Sequence, residues 1–295
     1  EEGITQQSLI CYLKIRQKFT ARSRISSVVD LRILSLGAGV QSTTLALMIE
    51  LGEVPMVDCG IFADTMGEPK IVYEHLDWLE QQLSFPVHRV FYRNLRQDIL
   101  DAVDGKYKFM SAPFYTINSK TGKKGILRRT CTADYKIDPI IKKIREMLGY
   151  SKGQRVKKGT EVEMLMGISK NEMIRMRRNK LAYIQNVYPL IDMSFHRHHC
   201  LRWMEEHDYP KPPRSACTFC PYHNNEEWKN IKKNEEEWDA VVALDKKIRF
   251  GSYVKKKDPV FIHKDCVPMG EADLDPNRDQ QDLFNDICDE GMCGV

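Results

Sequence analysis

The chain has 295 residues and a formal net charge of +4 at pH 7, which is too small to require a polyanionic partner by itself. Its composition, with 42% hydrophobic and 29% charged residues, is typical of a globular protein and excludes wholesale disorder or a fibrous chain. No apolar run reaches membrane-spanning length, so we expect no membrane partner. Nine cysteines spread over a long chain argue against a small disulfide-rich secreted domain, and we predict a reducing compartment, the cytoplasm.

Residues 1–30 are predicted to form a basic, partly helical N-terminal extension. They contain Lys14, Arg16, Lys18, Arg22 and Arg24 and no acid between Glu2 and Asp30. An organelle transit peptide is the alternative interpretation of this pattern.

Strands and helices alternate after this extension. Short apolar runs predict strands, and apolar residues at helical spacing predict the helices between them. Such alternation implies parallel strands joined by right-handed crossovers, with a ligand site beyond the carboxyl ends of the strands. We therefore predict an α/β fold, an open and mostly parallel Rossmann-like sheet with helices on both faces. The predicted segments are strand 31–36, helix 42–50, strand 56–63, helix 70–83, strand 87–91, helix 137–148 and strand 164–168.

The pattern changes beyond residue 190. Residues 105–130 lack long apolar periodicity and predict a loop, whereas residues 196–207 and 226–248 predict helices, with no obvious strand after Asp192. We predict a nucleotide-binding α/β domain over 31–190. A mainly helical portion that bears cysteines and ends in a flexible tail is predicted over 191–295.

The turn from the first strand to the first helix is rich in small residues. Gly37-Ala38-Gly39 would let backbone N–H groups approach an anion at the positive end of the helix dipole. Ser42, Thr43 and Thr44 add hydroxyl donors. The turn matches neither the Walker pattern nor the dinucleotide fingerprint, so a tight turn without a ligand is the alternative.

Four motifs follow one another along the chain: Gly37-Ala38-Gly39-Val40-Gln41-Ser42; Phe62-Ala63-Asp64-Thr65 with Glu68-Pro69; Arg129-Thr130-Cys131 with Lys136 and Pro139; and Cys217-Thr218-Phe219-Cys220. In this order they resemble the motifs of the PP-loop adenine nucleotide α-hydrolase superfamily, and within it those of the phosphoadenosine phosphosulfate (PAPS) reductase branch.

The resemblance implies that the first loop holds phosphate or sulfate, that the Asp64 region borders the adenosine, and that Arg175 meets the anionic end of the nucleotide. Gln41 stands where nucleotide-splitting members carry aspartate, which leaves open whether the loop supplies a carboxylate to a metal such as Mg²⁺ or to pyrophosphate. The expected nucleotide-binding residues are Ser35, Gly37, Gly39, Gln41, Ser42, Thr43, Asp64, Thr65, Gly167 and Arg175.

The cysteines suggest a metal centre. Cys217 and Cys220 are spaced so that two thiolates can reach one metal, and Cys131 lies in a cationic setting that favours a thiolate. We expect these three to hold a 4Fe-4S cluster, either with one iron open to sulfide or substrate or closed by Cys200. A zinc site is the alternative, in which Cys200 and the histidines at 196, 198 and 199 would complete a tetrahedral site with Cys217 and Cys220. Plain thiols or a redox disulfide are a third interpretation.

Lys136 and Cys293 are the predicted catalytic residues. Lys136 belongs to the segment that resembles the reductases' Lys-x-x-Pro motif. Cys293, in Glu290-Gly291-Met292-Cys293-Gly294, resembles the reductases' terminal cysteine that attacks sulfur, although the spacing differs and the histidine is absent. An incidental thiol in a disordered tail is the alternative.

The preferred function is ATP-dependent adenylation, yielding AMP and pyrophosphate, followed by sulfur transfer from the cluster or Cys293 to a nucleotide or nucleic acid, tRNA or DNA. Basic stretches at 152–158 and 175–180 would contact phosphates. A first alternative is an adenylyl sulfate or PAPS reductase that forms sulfite through Cys293 and uses a thioredoxin-like thiol donor. A second is a non-catalytic nucleotide or redox sensor. The oligomeric state is left open.

Overall fold

A computed structural model describes residues 29–106, 111–250 and 258–275. The predicted catalytic Cys293 and most of the predicted N-terminal extension lie outside these residues. The strands are β1 (Leu31–Leu36), β2 (Cys59–Asp64), β3 (Val87–Phe91), β4 (Tyr115–Ile117), β5 (Lys124–Ile126), β6 (Val162–Met166), β7 (Ile184–Val187) and β8 (Val260–Phe261).

Helices separate most of these strands. The α-helices are α1 (Val40–Glu50), α2 (Lys70–Gln82), α3 (Leu95–Val103), α4 (Asp138–Met147), α5 (Pro189–Asp192), α6 (Arg197–Glu206), α7 (Asn225–Lys232) and α8 (Glu235–Ile248). A π-helix spans Ala133–Ile137, and 3-10 helices span Lys170–Arg175 and Met269–Glu271.

The chain divides into two compact units, each assembled from several segments. The first comprises the described parts of Glu1–Phe62, Glu74–Arg89 and Lys142–Arg214, and the second those of Ala63–Tyr73, Val90–Ile141 and Ser215–Val295. Residue 190, the predicted domain boundary, is not a point at which the chain passes from one unit to the other.

A five-stranded sheet in the order β3-β2-β1-β6-β7 forms the centre of the fold. Strand β1 pairs in parallel with β2 on one side and with β6 on the other, and β6 pairs in parallel with β7. This confirms the predicted open α/β sheet with helices on both faces. The chain builds outward from β1 to β3 and then returns to add β6, so the topological switch point lies between β1 and β6, where ligands bind in such sheets.

Helix α1 is buried from Val40 to Ile49, and it packs against β1, α5 and α6. Its run Leu45-Ala46-Leu47-Met48-Ile49 is apolar all round, which is the pattern of a helix enclosed by other elements. The helix begins at Val40, two residues earlier than predicted, because Gly39 provides its N-cap.

The second unit contains an antiparallel sheet in the order β5-β4-β8 and an apolar core that includes Phe114, Trp228, Val241 and Leu244. The expectation of no strand after Asp192 is wrong, because β8 pairs with β4. A two-residue strand whose partner lies about 140 residues earlier shows no alternation of its own. No helix in the described residues is long and apolar enough to span a membrane.

Candidate functional site

The loop after β1 turns sharply into the N-terminus of α1. Ala38 adopts a φ of 57°, an uncommon conformation for a residue with a Cβ and one that marks local strain. The Gly39 N–H donates to Ser42 Oγ at 3.2 Å, and the Ser42 hydroxyl lies 3.2 Å from the Gly39 carbonyl oxygen, to which it donates. The first turn of α1 contains no acidic residue. The helix itself therefore places no negative charge at the positive end of its dipole.

The other two hydroxyls of α1 are held inside the first unit. Thr44 donates to the Val40 carbonyl at 2.9 Å, and Thr43 Oγ1 lies 3.0 Å from His75 Nε2. Burial lowers the pKa of His75 to about 4, so this ring is neutral at neutral pH. His75 is a site neighbour that sequence reasoning missed, since a histidine in an amphipathic helix gives no sign of its partner.

The loop after β6 lies directly against the start of α1. A Cβ added to Gly167 would be 2.7 Å from Ser42 Cα and 2.8 Å from Ser42 N. The Gln41 side chain crosses between the loops, its Nε2 lying 3.3 Å from Ser169 Oγ and 3.1 Å from Glu172 Oε2. The structure thus brings Gln41, Ser42 and Gly167 together at the switch point.

Arg175 joins this group through Glu172. The Arg175 guanidinium donates to Glu172 Oε1, and both side chains are largely buried. Burial raises the pKa of the Glu172 carboxyl, and the charge of Arg175 opposes that rise. Glu172 is not among the residues predicted for the site from the sequence. The remaining predicted residues of this loop, Ser35 and Gly37, lie at the end of β1 and immediately after it.

In the second unit, Asp64 is the last residue of β2, and Thr65 begins the loop that follows. Asp64 Oδ1 accepts from the Met66 N–H at 2.6 Å and from the Tyr73 hydroxyl at 2.8 Å. Burial and the nearby Asp64 charge raise the pKa of Tyr73, so its hydroxyl keeps its proton. Thr65 is buried, and its Oγ1 lies 3.0 Å from Cys217 Sγ.

The turn that carries Cys217 and Cys220 packs against the same loop. The Thr218 N–H donates to the Gly67 carbonyl at 2.7 Å. A Cβ on Gly67 would be 2.9 Å from the Phe219 ring, so only glycine allows this approach. The turn is closed by the Cys220 N–H, which donates to the Cys217 carbonyl at 2.8 Å. Backbone contacts therefore fix the position of Cys217 next to the loop after β2.

Lys136, a predicted catalytic residue, forms an ion pair within this unit. Its Nζ lies 3.3 Å from Glu68 Oε1, and the Ser215 hydroxyl donates to Glu68 Oε2 at 3.3 Å. The Glu68 side chain is fully buried. Ser215 was not predicted, because a serine two residues before a cysteine carries no motif.

The predicted metal ligands are distributed between the units. Cys217 belongs to the apolar core of the second unit, and Cys131 and Cys220 pack against that core. Cys200 lies on α6 in the first unit, where burial raises the pKa of its thiol to about 12, although the neighbouring Thr44 hydroxyl acts to lower that pKa.

Within residues 29–106, 111–250 and 258–275, no group of three or more His, Cys, Asp or Glu side chains is arranged to hold a metal ion. The three neighbouring histidines at 196, 198 and 199 do not form such a group, although the rings of His198 and His199 are only 4.0 Å apart between centroids. The iron–sulfur cluster and its zinc alternative stay predictions.

No family model and no curated protein matches the chain. Among solved structures it is similar to the crystal structure of phosphoadenylyl-sulfate (PAPS) reductase from Candida auris in a phosphate complex. The two are 12% identical with a TM-score of 0.41, over 71% of this chain and 90% of that one. The fold assigned above rests on the order and pairing of the strands.

Proposed function

We propose that the chain is an enzyme that binds the phosphates of an adenine nucleotide at the carboxyl ends of β1 and β6. The observation that carries this proposal is the contact between the two loops at the switch point, where Gly167 leaves no room for a Cβ against Ser42. Backbone of two loops that meets at the start of a helix without acidic residues in its first turn suits a phosphate chain.

The proposed reaction is adenylation. An oxygen of the acceptor attacks the α-phosphorus of ATP, the bond to the β-phosphate oxygen breaks, and pyrophosphate leaves. A sulfur nucleophile then displaces AMP from the acceptor. The sulfur enters as a persulfide that a sulfur donor loads onto one of the predicted cysteines, Cys293 included. Its terminal sulfur bonds to the activated carbon of the acceptor as AMP leaves. A second thiol then attacks the carrier cysteine, which releases the thiolated acceptor and leaves a disulfide for an external dithiol to reduce.

A nucleic acid, tRNA or DNA, is the proposed acceptor. Arg177, Arg178 and Lys180 follow Arg175 closely in the chain, and all three are exposed. Exposed basic side chains next to a nucleotide site can contact the phosphates of such an acceptor.

Reduction of a sulfonucleotide is a second candidate, favoured by the uncharged amide of Gln41 in the loop. An adenylyl sulfate carries less charge than ATP and has less need of a carboxylate-bound metal. In this reaction the Cys293 thiolate attacks the sulfate sulfur, the bond to the AMP oxygen breaks, and a thioredoxin-like thiol releases sulfite by forming a disulfide with Cys293.

An anaerobic assay of the full chain separates these candidates. Purified protein receives labelled ATP with Mg²⁺, with or without tRNA or DNA, and in separate reactions adenylyl sulfate or PAPS with a dithiol. Pyrophosphate from ATP supports adenylation, whereas sulfite formed without ATP supports the reductase. Nucleotide binding without either product identifies a sensing module, and absence of nucleotide binding contradicts the proposed function.

A further inference from the structure

Glu172 occupies a position between the two loops of the candidate phosphate site. It is 8% exposed and lies in the 3-10 helix that follows β6. One carboxylate oxygen accepts from Gln41 in the loop after β1, and the other accepts from the Arg175 guanidinium. The Glu172 side chain thus links Gln41, at the start of α1, to Arg175, which lies in the same 3-10 helix as Glu172.

A buried carboxylate by itself adds little to the free energy of unfolding. Removing its charge from water costs free energy that its partners offset only with good geometry, and an apolar group of the same size often stabilises a protein as well. Burial raises the pKa of Glu172, which is a sign of that cost. The carboxylate does fix the orientation of its partner, because a guanidinium that donates to a carboxylate is held in one orientation.

We infer that Glu172 is a positioning residue, which holds the Arg175 guanidinium toward the phosphate site and fixes the Gln41 amide between the two loops. This inference rests on the proposed function. Both carboxylate oxygens of Glu172 accept from protein donors, and its negative charge would repel a phosphate, so we assign it no contact with the nucleotide. Its effect on the nucleotide is exerted through Arg175.

Replacement of Glu172 by glutamine keeps the shape but not the hydrogen bonds. A carboxamide presents one acceptor and one donor, whereas both neighbours, Gln41 Nε2 and Arg175 Nη1, are donors. One contact is therefore lost. We expect Glu172→Gln to weaken ATP binding by about tenfold and to raise the KM for ATP with little change in kcat, since binding of a phosphate is lost in ground and transition states alike.

A paired substitution distinguishes positioning from mere support of the fold. In Gln41→Glu combined with Glu172→Gln, the hydrogen bond between the loops is restored in the reverse direction, and the neutral amide oxygen at 172 accepts from Arg175 without the charge that strengthens and directs such a bond. We expect this double variant to regain the thermal midpoint of the wild type and to remain weak in ATP binding. If Glu172 only supported the fold, both properties would recover together.

The experiment is a calorimetric titration of the full chain with ATP, adenylyl sulfate and adenosine, beside a thermal melt of each variant. Glu205→Gln removes an exposed carboxylate from α6 and is the matched control. We expect adenosine affinity to be unchanged in every variant. Unaltered affinity of Glu172→Gln for both phosphorylated ligands, or recovery of that affinity in the double variant, overturns the inference while the proposed function stands. A wild-type chain that binds neither ligand overturns both.

Discussion

The contact between Gly167 and Ser42 is the sharpest test of the proposed phosphate site. An alanine at 167 would place its Cβ 2.7 Å from Ser42 Cα and 2.8 Å from Ser42 N. Carbon atoms in ordinary contact are about 3.5–4.0 Å apart, so the two loops must separate by about 1 Å. The atoms in conflict belong to the backbone, and no side-chain rotation relieves them.

This separation is expected to affect binding more than folding. Overpacking of this kind costs about 1–3 kcal/mol of stability. A displacement of about 1 Å in a positioned site can lower activity about a hundredfold. We therefore expect Gly167→Ala to remain folded, with a lower urea midpoint, and to lose most of its ATP binding and pyrophosphate release.

The assay combines urea unfolding with ATP titration on the same preparations. Gly125→Ala is the control, because a Cβ there meets only Thr116 Cγ2 at 3.5 Å in an exposed strand of the other unit. We expect this control to match the wild type in ATP binding. If Gly167→Ala bound ATP as tightly as the control, the crevice between the loops after β1 and β6 would not be the nucleotide site.

Three further outcomes are expected. Gly67→Ala should clash with the Phe219 ring at 2.9 Å and lower the free energy of unfolding by about 1–3 kcal/mol, whereas an unchanged urea midpoint would contradict the close packing of the cysteine turn. If the predicted cluster forms, Cys131→Ala should lose iron and cluster absorbance after anaerobic reconstitution, and full retention of iron would exclude that ligand. His75 has a folded pKa of about 4, below its unfolded value of about 6.5, so its contribution to stability is present above pH 6.5 and lost as the pH falls toward 4. His75→Gln should therefore lose less stability than the wild type between pH 6.5 and 4, and parallel acid-unfolding curves would contradict this.

Local patterns were enough to predict the centre of the fold. Strand β1 has an apolar run closed by Gly37, and β2 and β3 follow with helices between them, so their parallel arrangement follows from chain order. The short strands were harder to predict. Strand β8 has two residues, and its existence depends on a pairing with β4 that no local pattern reveals.

The cysteines show a different limit. Spacing alone identified the turn that bears Cys217 and Cys220. In the structure, Gly67 and Thr65 contact this turn directly, which explains why these two neighbours are a small and a polar residue. Spacing cannot show which more distant cysteines belong to the same core. Cys131 packs on the apolar core that contains Cys217, although the two are far apart in sequence, whereas Cys200 belongs to the first unit.

Gln41 illustrates why a single position is a poor guide to the charge of a site. In the sequence, its neutral amide is a departure from the aspartate of the loop that it resembles. In the structure, its Nε2 donates to a buried carboxylate, that of Glu172, which is 131 residues away. An aspartate at 41 would place two carboxylates side by side in a buried position, where like charges oppose each other. A carboxylate therefore does lie at the start of α1, but it comes from the segment after β6 and is engaged by Arg175 and by the amide of Gln41, which is the neutral donor that it requires.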